Sequence, residues 1–128
     1  MGQSRPFRAT ALIVEDDPSQ RDMMSLLLEE SDYDVIQCES AEAAALVLEK
    51  DDGGAVLLLI TDVNLAGRMS GVELAFLARE RHPALDVVVT SGRPLAEKLP
   101  DGTKFWAKPW TPLDVLREAE AAQLGSPR

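Results

Sequence analysis

The chain alternates between short apolar runs and longer stretches of mixed polarity. Ala9 to Val14, Val56 to Ile60, Val87 to Val89 and Phe105 to Ala107 are almost wholly apolar. Runs without polar alternation read as strands, and the one ending at Asp62 reads as a strand buried on both faces of a parallel sheet. Tyr33 to Cys38, centred on Val35 and Ile36, reads as one more short strand. Between the runs, apolar positions recur at helical spacing. Pro18 opens the first such stretch, with Met23, Met24, Leu26, Leu27 and Leu28 as its stripe up to about Glu30. Proline suits a helix's first turn because its missing N–H has no partner there anyway. Ser40 caps a second helix through Leu46, Val47 and Leu48 to Lys50, broken by Asp51-Asp52-Gly53-Gly54. Ser70 or Gly71 begins a third, carrying Val72, Leu74, Ala75, Leu77 and Ala78 and closed off by Pro83. Leu95 to Leu99, between Pro94 and Pro100, has room only for a shortened fourth helix. Thr111 and Pro112 open the last, through Leu113, Val115, Leu116 and Ala119 to about Gln123.

Five strands thus alternate with five helices, the fourth cut short. This order predicts βαβ units and a five-stranded, doubly wound parallel sheet with helices on both faces. No repeat or linker interrupts it. A single domain over residues 1–128, with its core at about 9–123, is expected, the first eight residues being loose and Gly125 to Arg128 frayed.

Composition narrows the class. At 128 residues, 45% hydrophobic and 27% charged, the chain can bury one core and is not disordered. No apolar stretch reaches the roughly 20 residues of a membrane helix, and no apolar signal core follows the start. A cytoplasmic location without a membrane partner is expected, and the lone Cys38 agrees with a reducing compartment. Thirteen basic against 22 acidic residues give a net charge of −9. That balance disfavours DNA, which is gripped through cationic phosphate contacts.

The chemistry lies at the strand ends. Asp62 closes the run Val56-Leu57-Leu58-Leu59-Ile60-Thr61, Glu15-Asp16-Asp17 follow Val14, Thr90 follows Val89 and Lys108 follows Ala107. Open α/β sheets bind ligands in the crevice at the carboxyl ends of their strands. Carboxylates, a hydroxyl and an ammonium gathered there suit a divalent metal and a phosphoryl group. The Asp16-Asp17 pair can hold magnesium through carboxylate oxygens. It can equally complement a helix dipole. Asp62 is the candidate nucleophile, able to form an acyl phosphate. Lys108 can neutralise a phosphoryl oxygen, and Thr90 can donate one hydrogen bond. His82, in Arg81-His82-Pro83 at a helix end, reads as a surface residue, and Trp106, Trp110 and Cys38 read as packing residues.

Taken together, Asp16-Asp17, Asp62, Ser70-Gly71-Val72-Glu73-Leu74-Ala75, Thr90-Ser91-Gly92 and Lys108-Pro109-Trp110 resemble the receiver domain of bacterial two-component response regulators. Each motif is weak alone, but the ordered set is specific and covers about residues 9–123. The resemblance implies a flavodoxin-like sheet of order 2-1-3-4-5. It implies magnesium held by Asp17, Asp62 and the Asn64 carbonyl, with Asp16 assisting. It makes Asp62 the phosphoacceptor, supplied by a sensor histidine kinase or a phosphotransfer protein. Thr90 and Lys108 would then bind the phosphoryl oxygens, and Phe105 would swing inward as Thr90 moves. It also implies a cis bond before Pro109 and an unidentified downstream protein reached by contact or phosphate transfer. Such a domain catalyses its own phosphorylation and dephosphorylation without being a turnover enzyme.

Two features depart from that family. Ala66 stands where many receivers carry proline, and the segment from Ser91 to Gly102 is short, with two prolines, so the fourth helix is expected to be stunted or absent. Two other readings compete. Haloacid dehalogenase-like phosphatases also use an Asp after a strand with magnesium, but want a second Asp where this chain has Asn64. A phosphate-independent interaction domain would not need Asp16-Asp17, Asp62, Thr90 and Lys108 intact.

Overall fold

Parallel pairing of five strands gives the sheet its order. In the computed structural model, which describes residues 8–51 and 54–125, the strands are β1 (Thr10–Val14), β2 (Asp34–Cys38), β3 (Val56–Asp62), β4 (Asp86–Ser91) and β5 (Lys104–Ala107). They lie in the order β2-β1-β3-β4-β5, all parallel, as expected. The loose start before residue 8, the Asp52-Gly53 part of the break and the end beyond Gly125 fall outside the described residues.

Strand alternation feeds two cores. Leu12, Val14, Leu59, Val87 and Val89 point to one face of the sheet, and Ala11, Ile13, Leu58, Ile60 and Val88 to the other. The first face is covered by α2 (Ala41–Glu49) and α3 (Gly71–Arg81). Their Ala41, Ala44, Ala75 and Ala78 let the backbones approach, while Leu48 and Leu74 fill the space. The second is covered by α1 (Pro18–Glu30) and α4 (Pro112–Gln123), through Met24, Leu28, Val115 and Ala119. Each fully buried Leu or Ile contributes roughly 1.5–3 kcal/mol. The stripe expected on α1 is only half right. Met24 and Leu28 are buried, whereas Met23 and Leu26 are about half exposed. Cys38 is buried, and Trp106 and Trp110 pack against the second core. His82 ends α3, and its Nε2 lies 2.9 Å from the Leu48 carbonyl.

The caps explain where the helices start. Ser70 and Thr111 each form a reciprocal capping box, with Glu73 and Asp114 respectively. Four helices are present among the described residues; the shortened helix expected at Leu95–Leu99 is absent. Pro94 and Pro100 leave five residues, too few to propagate a helix once its nucleation cost is met. Instead Leu99 packs on the first core, and the Thr103 N–H donates to the Pro100 carbonyl in a closing turn.

Candidate functional site

In-register parallel pairing sets the strand ends side by side. Asp62 on β3 pairs with Thr90 on β4, and Val14, the last residue of β1, pairs with Thr61. Glu15 therefore emerges beside Asp62, and Lys108 follows β5 on the other side of β4. The Lys108 N–H donates to the Ser91 carbonyl at 2.8 Å, which fixes where its side chain leaves the sheet. The Lys108–Pro109 peptide bond is cis.

Lys108 joins two carboxylates. Its Nζ lies 2.9 Å from Asp62 Oδ2 and 3.0 Å from Glu15 Oε1, in a largely buried setting. Burial alone lowers the pKa of this ammonium, but the bonds to Asp62 and Glu15 outweigh it and raise the value above that of ordinary lysine. Burial raises the Glu15 pKa above the usual carboxylate value, against the opposing pull of Lys108. Arg21 holds Glu15 from behind, its guanidinium donating to the Glu15 carbonyl at 2.7 Å.

Glu15, Asp16 and Asp62 each place a carboxylate oxygen within 4.8 Å of the others. Asp17, expected as a principal metal ligand, is engaged elsewhere. It is the N-cap of α1, accepting the Ser19 N–H at 3.1 Å and the Gln20 side-chain amide at 2.9 Å. The cause is the position of Pro18. Proline at the first helical position makes the residue before it the cap, and a capping carboxylate turns back onto its own helix. Glu15 joins Asp16 in its place. The sequence signal for this was available, since Glu15 is the first residue past the apolar run.

The remaining expected residues surround this cluster. The Asn64 N–H reaches toward Asp62 Oδ1 at 3.4 Å, and Asn64 is exposed at the lip of the crevice. Thr90 is buried beside Asp62. Phe105 on β5 is 38% exposed and stands clear of the core. Two contributors were not read from the sequence. Gly71 packs its backbone against the Asp62 carbonyl, so closely that a Cβ there would lie 1.8 Å from that oxygen. Glu42 on α2 accepts backbone N–H groups from the loop that follows Asp62.

An open parallel sheet with an acidic cluster and one ammonium at its carboxyl edge defines a class of α/β domain built to handle anions and hard cations. The model of the response regulator receiver domain matches residues 11–107, and the chain belongs to that family. Over 81 residues it is 40% identical to the response regulator protein FleR of Pseudomonas aeruginosa, a match covering 63% of this chain and 16% of that protein. The chain thus matches about a sixth of the length of that curated relative. The structure of a CheY-like receiver domain protein from Methanospirillum hungatei JF-1 superposes with a TM-score of 0.80 at 25% identity, covering 92% of this chain and 96% of that one. The receiver domain of the hybrid histidine kinase CckA gives a TM-score of 0.76 at 26% identity, covering 89% and 98%. Membership places the chain among the phosphorylation-controlled signalling modules of two-component systems, whose domains bind magnesium at an acidic pocket.

Proposed function

We propose that Asp62 takes a phosphoryl group from a phosphohistidine of a sensor histidine kinase or a phosphotransfer protein. The domain then signals by binding a downstream protein, or passes the phosphate on within a relay. The observation that carries this reading is the Lys108 ammonium held between Asp62 and Glu15 beside Asp16. It pre-positions a nucleophile and a counter-charge at the mouth of the crevice.

In the transfer, an Asp62 carboxylate oxygen attacks phosphorus, an acyl phosphate bond forms and the phosphorus–nitrogen bond breaks. The histidine nitrogen leaves with the electron pair. Positioning and charge neutralisation supply most of such catalysis. Lys108 can move from Asp62 Oδ2 to a phosphoryl oxygen without leaving Glu15. Thr90, one strand away, offers its hydroxyl to another. The donor set fits magnesium: three carboxylates of hard oxygen within reach of one another, and no sulfur or imidazole among them. Asp16, Glu15, Asp62 and the Asn64 carbonyl would hold the ion, which neutralises the phosphoryl oxygens. The phosphatase reading wants a second Asp two residues after the nucleophile, where this chain has Asn64.

Acetyl phosphate with magnesium tests this directly. Intact-mass spectrometry is expected to show one phosphoryl adduct on the wild type and none on Asp62→Asn. Thr90→Ala is expected to take phosphate yet lose the NMR shifts that beryllofluoride produces around Phe105. The same adduct on Asp62→Asn, or steady turnover of phosphomonoesters, would refute the proposal.

A further inference from the structure

The loop between β3 and α3 leaves Asp62, carries Asn64 and returns the chain to Gly71 against the Asp62 carbonyl. Its shape therefore sets the geometry of the phosphoacceptor. The loop has no proline, and Gly67 sits at φ +101, a conformation open mainly to glycine. What holds it comes from another helix. Glu42, in the first turn of α2, accepts the Arg68 N–H at 2.8 Å and the Met69 N–H at 2.9 Å, both on Oε2. Consecutive backbone N–H groups of this kind form an anion-binding concavity, and the Glu42 carboxylate fills it. Its other oxygen, Oε1, is buried without a partner and lies 2.7 Å from where a Cβ on residue 67 would stand. A side chain at residue 67 would have to push that carboxylate aside. A parallel bridge between Ser40 and Ala66 lays the rest of the loop along the start of α2.

From this arrangement we infer that Glu42 is a positioning residue for the magnesium and phosphoryl site, acting through the backbone of residues 66–69. The inference rests on the proposed function. Glu42 touches neither Asp62 nor Asp16. It fixes the path of the loop, and with it the Asn64 carbonyl and the first residue of α3. A bond from its own N–H, then those from Arg68 and Met69, lower its pKa below the usual carboxylate value, so it stays ionised in that seat.

Glu42→Gln and Glu42→Met test this as a pair. Both keep the length of the stem, but only Gln retains an oxygen that can accept the two N–H groups. Magnesium affinity is measured by titration calorimetry, and hydrogen exchange of the Arg68 and Met69 amides by NMR without metal. Outer-sphere partners of metal ligands are typically worth 10–100-fold in affinity, so Met should weaken magnesium binding about tenfold. It should also speed exchange at both amides, while Gln stays near the wild type in both. Melting temperature is recorded for each variant, since a purely structural residue would lower it without changing the affinity of the folded fraction. Equal magnesium affinity in the Gln and Met variants would overturn the inference. A wild type that neither binds magnesium nor takes phosphate would instead overturn the function on which it rests.

Discussion

Gly71→Ala adds one methyl group where the Asp62 and Val63 backbone leaves no room for it. The new Cβ would lie 1.8 Å from the Asp62 carbonyl oxygen, 2.7 Å from its carbon and 3.0 Å from the Val63 Cα. All three neighbours are backbone, so no side chain can rotate out of the way. Restoring an ordinary contact of 3.4 Å from 1.8 Å requires a shift of about 1.6 Å between α3 and the end of β3. That shift strains the 2.9 Å bond from the Gly71 N–H to the Val63 carbonyl. It also pulls on α3, whose Leu74, Ala75 and Ala78 are fully buried. Overpacking in a close-packed site costs roughly 1–3 kcal/mol, and here nothing flexible absorbs it, so the upper end is expected. Helix propensity acts the other way, since Ala is favoured over Gly by about 1 kcal/mol in a helix interior and by less at its first residue. The net expectation is a loss of about 2 kcal/mol in urea denaturation with an unchanged slope. Misplacement of about 1 Å near the reacting groups can cost 10²-fold in rate, so acetyl phosphate should label Asp62 far more slowly even where the variant is fully folded. Stability within 0.5 kcal/mol of the wild type, roughly the spread of neutral surface changes, together with an unchanged labelling rate would refute the reasoning.

Two further experiments separate roles that adjacent residues hide. Asp16→Ala should abolish magnesium binding seen by calorimetry. Asp17→Ala should leave most of the binding but destabilise the fold by about 1 kcal/mol, the typical worth of an N-cap; the reverse pattern would restore Asp17 to the metal set. Tyr33 is the only tyrosine, and its buried hydroxyl donates to the Ala119 carbonyl at 2.7 Å. Burial first, then the Asp86 and Glu118 carboxylates, push its pKa far above that of an exposed tyrosine. A folded-state pKa above the unfolded one means that its stabilisation is complete below pH ~10 and is lost as pH rises beyond that. The ultraviolet phenolate band should therefore appear only with alkaline unfolding, and Tyr33→Phe should cost about 0.5–1.5 kcal/mol at neutral pH. A phenolate titrating freely in the folded protein would contradict the buried placement.

The local sequence determined the elements and most of the edge chemistry. Three apolar runs marked the central strands, because strands buried on both faces dispense with alternation, whereas the short run ending at Ala107 is the largely exposed edge strand β5. Asp62, Thr90 and Lys108 were legible because each directly follows an apolar run, and the parallel order then brings those ends together. No helix forms at Leu95–Leu99. A few apolar residues between two prolines satisfy a pattern without satisfying nucleation, and Leu99 gains more by packing on the first core. Asp17, expected as a metal ligand, lies outside the cluster of Glu15, Asp16 and Asp62 and caps α1. Which of the three adjacent acids turns back as the cap depends on where β1 ends and where Pro18 fixes the helix. What Glu42 and Gly71 pack against was not legible in the sequence, for a related reason. Their partners are backbone atoms, 26 residues away at Arg68 and 9 away at Asp62. Backbone groups carry no residue identity, so only the packed tertiary structure decides which side chain, or which missing side chain, they meet.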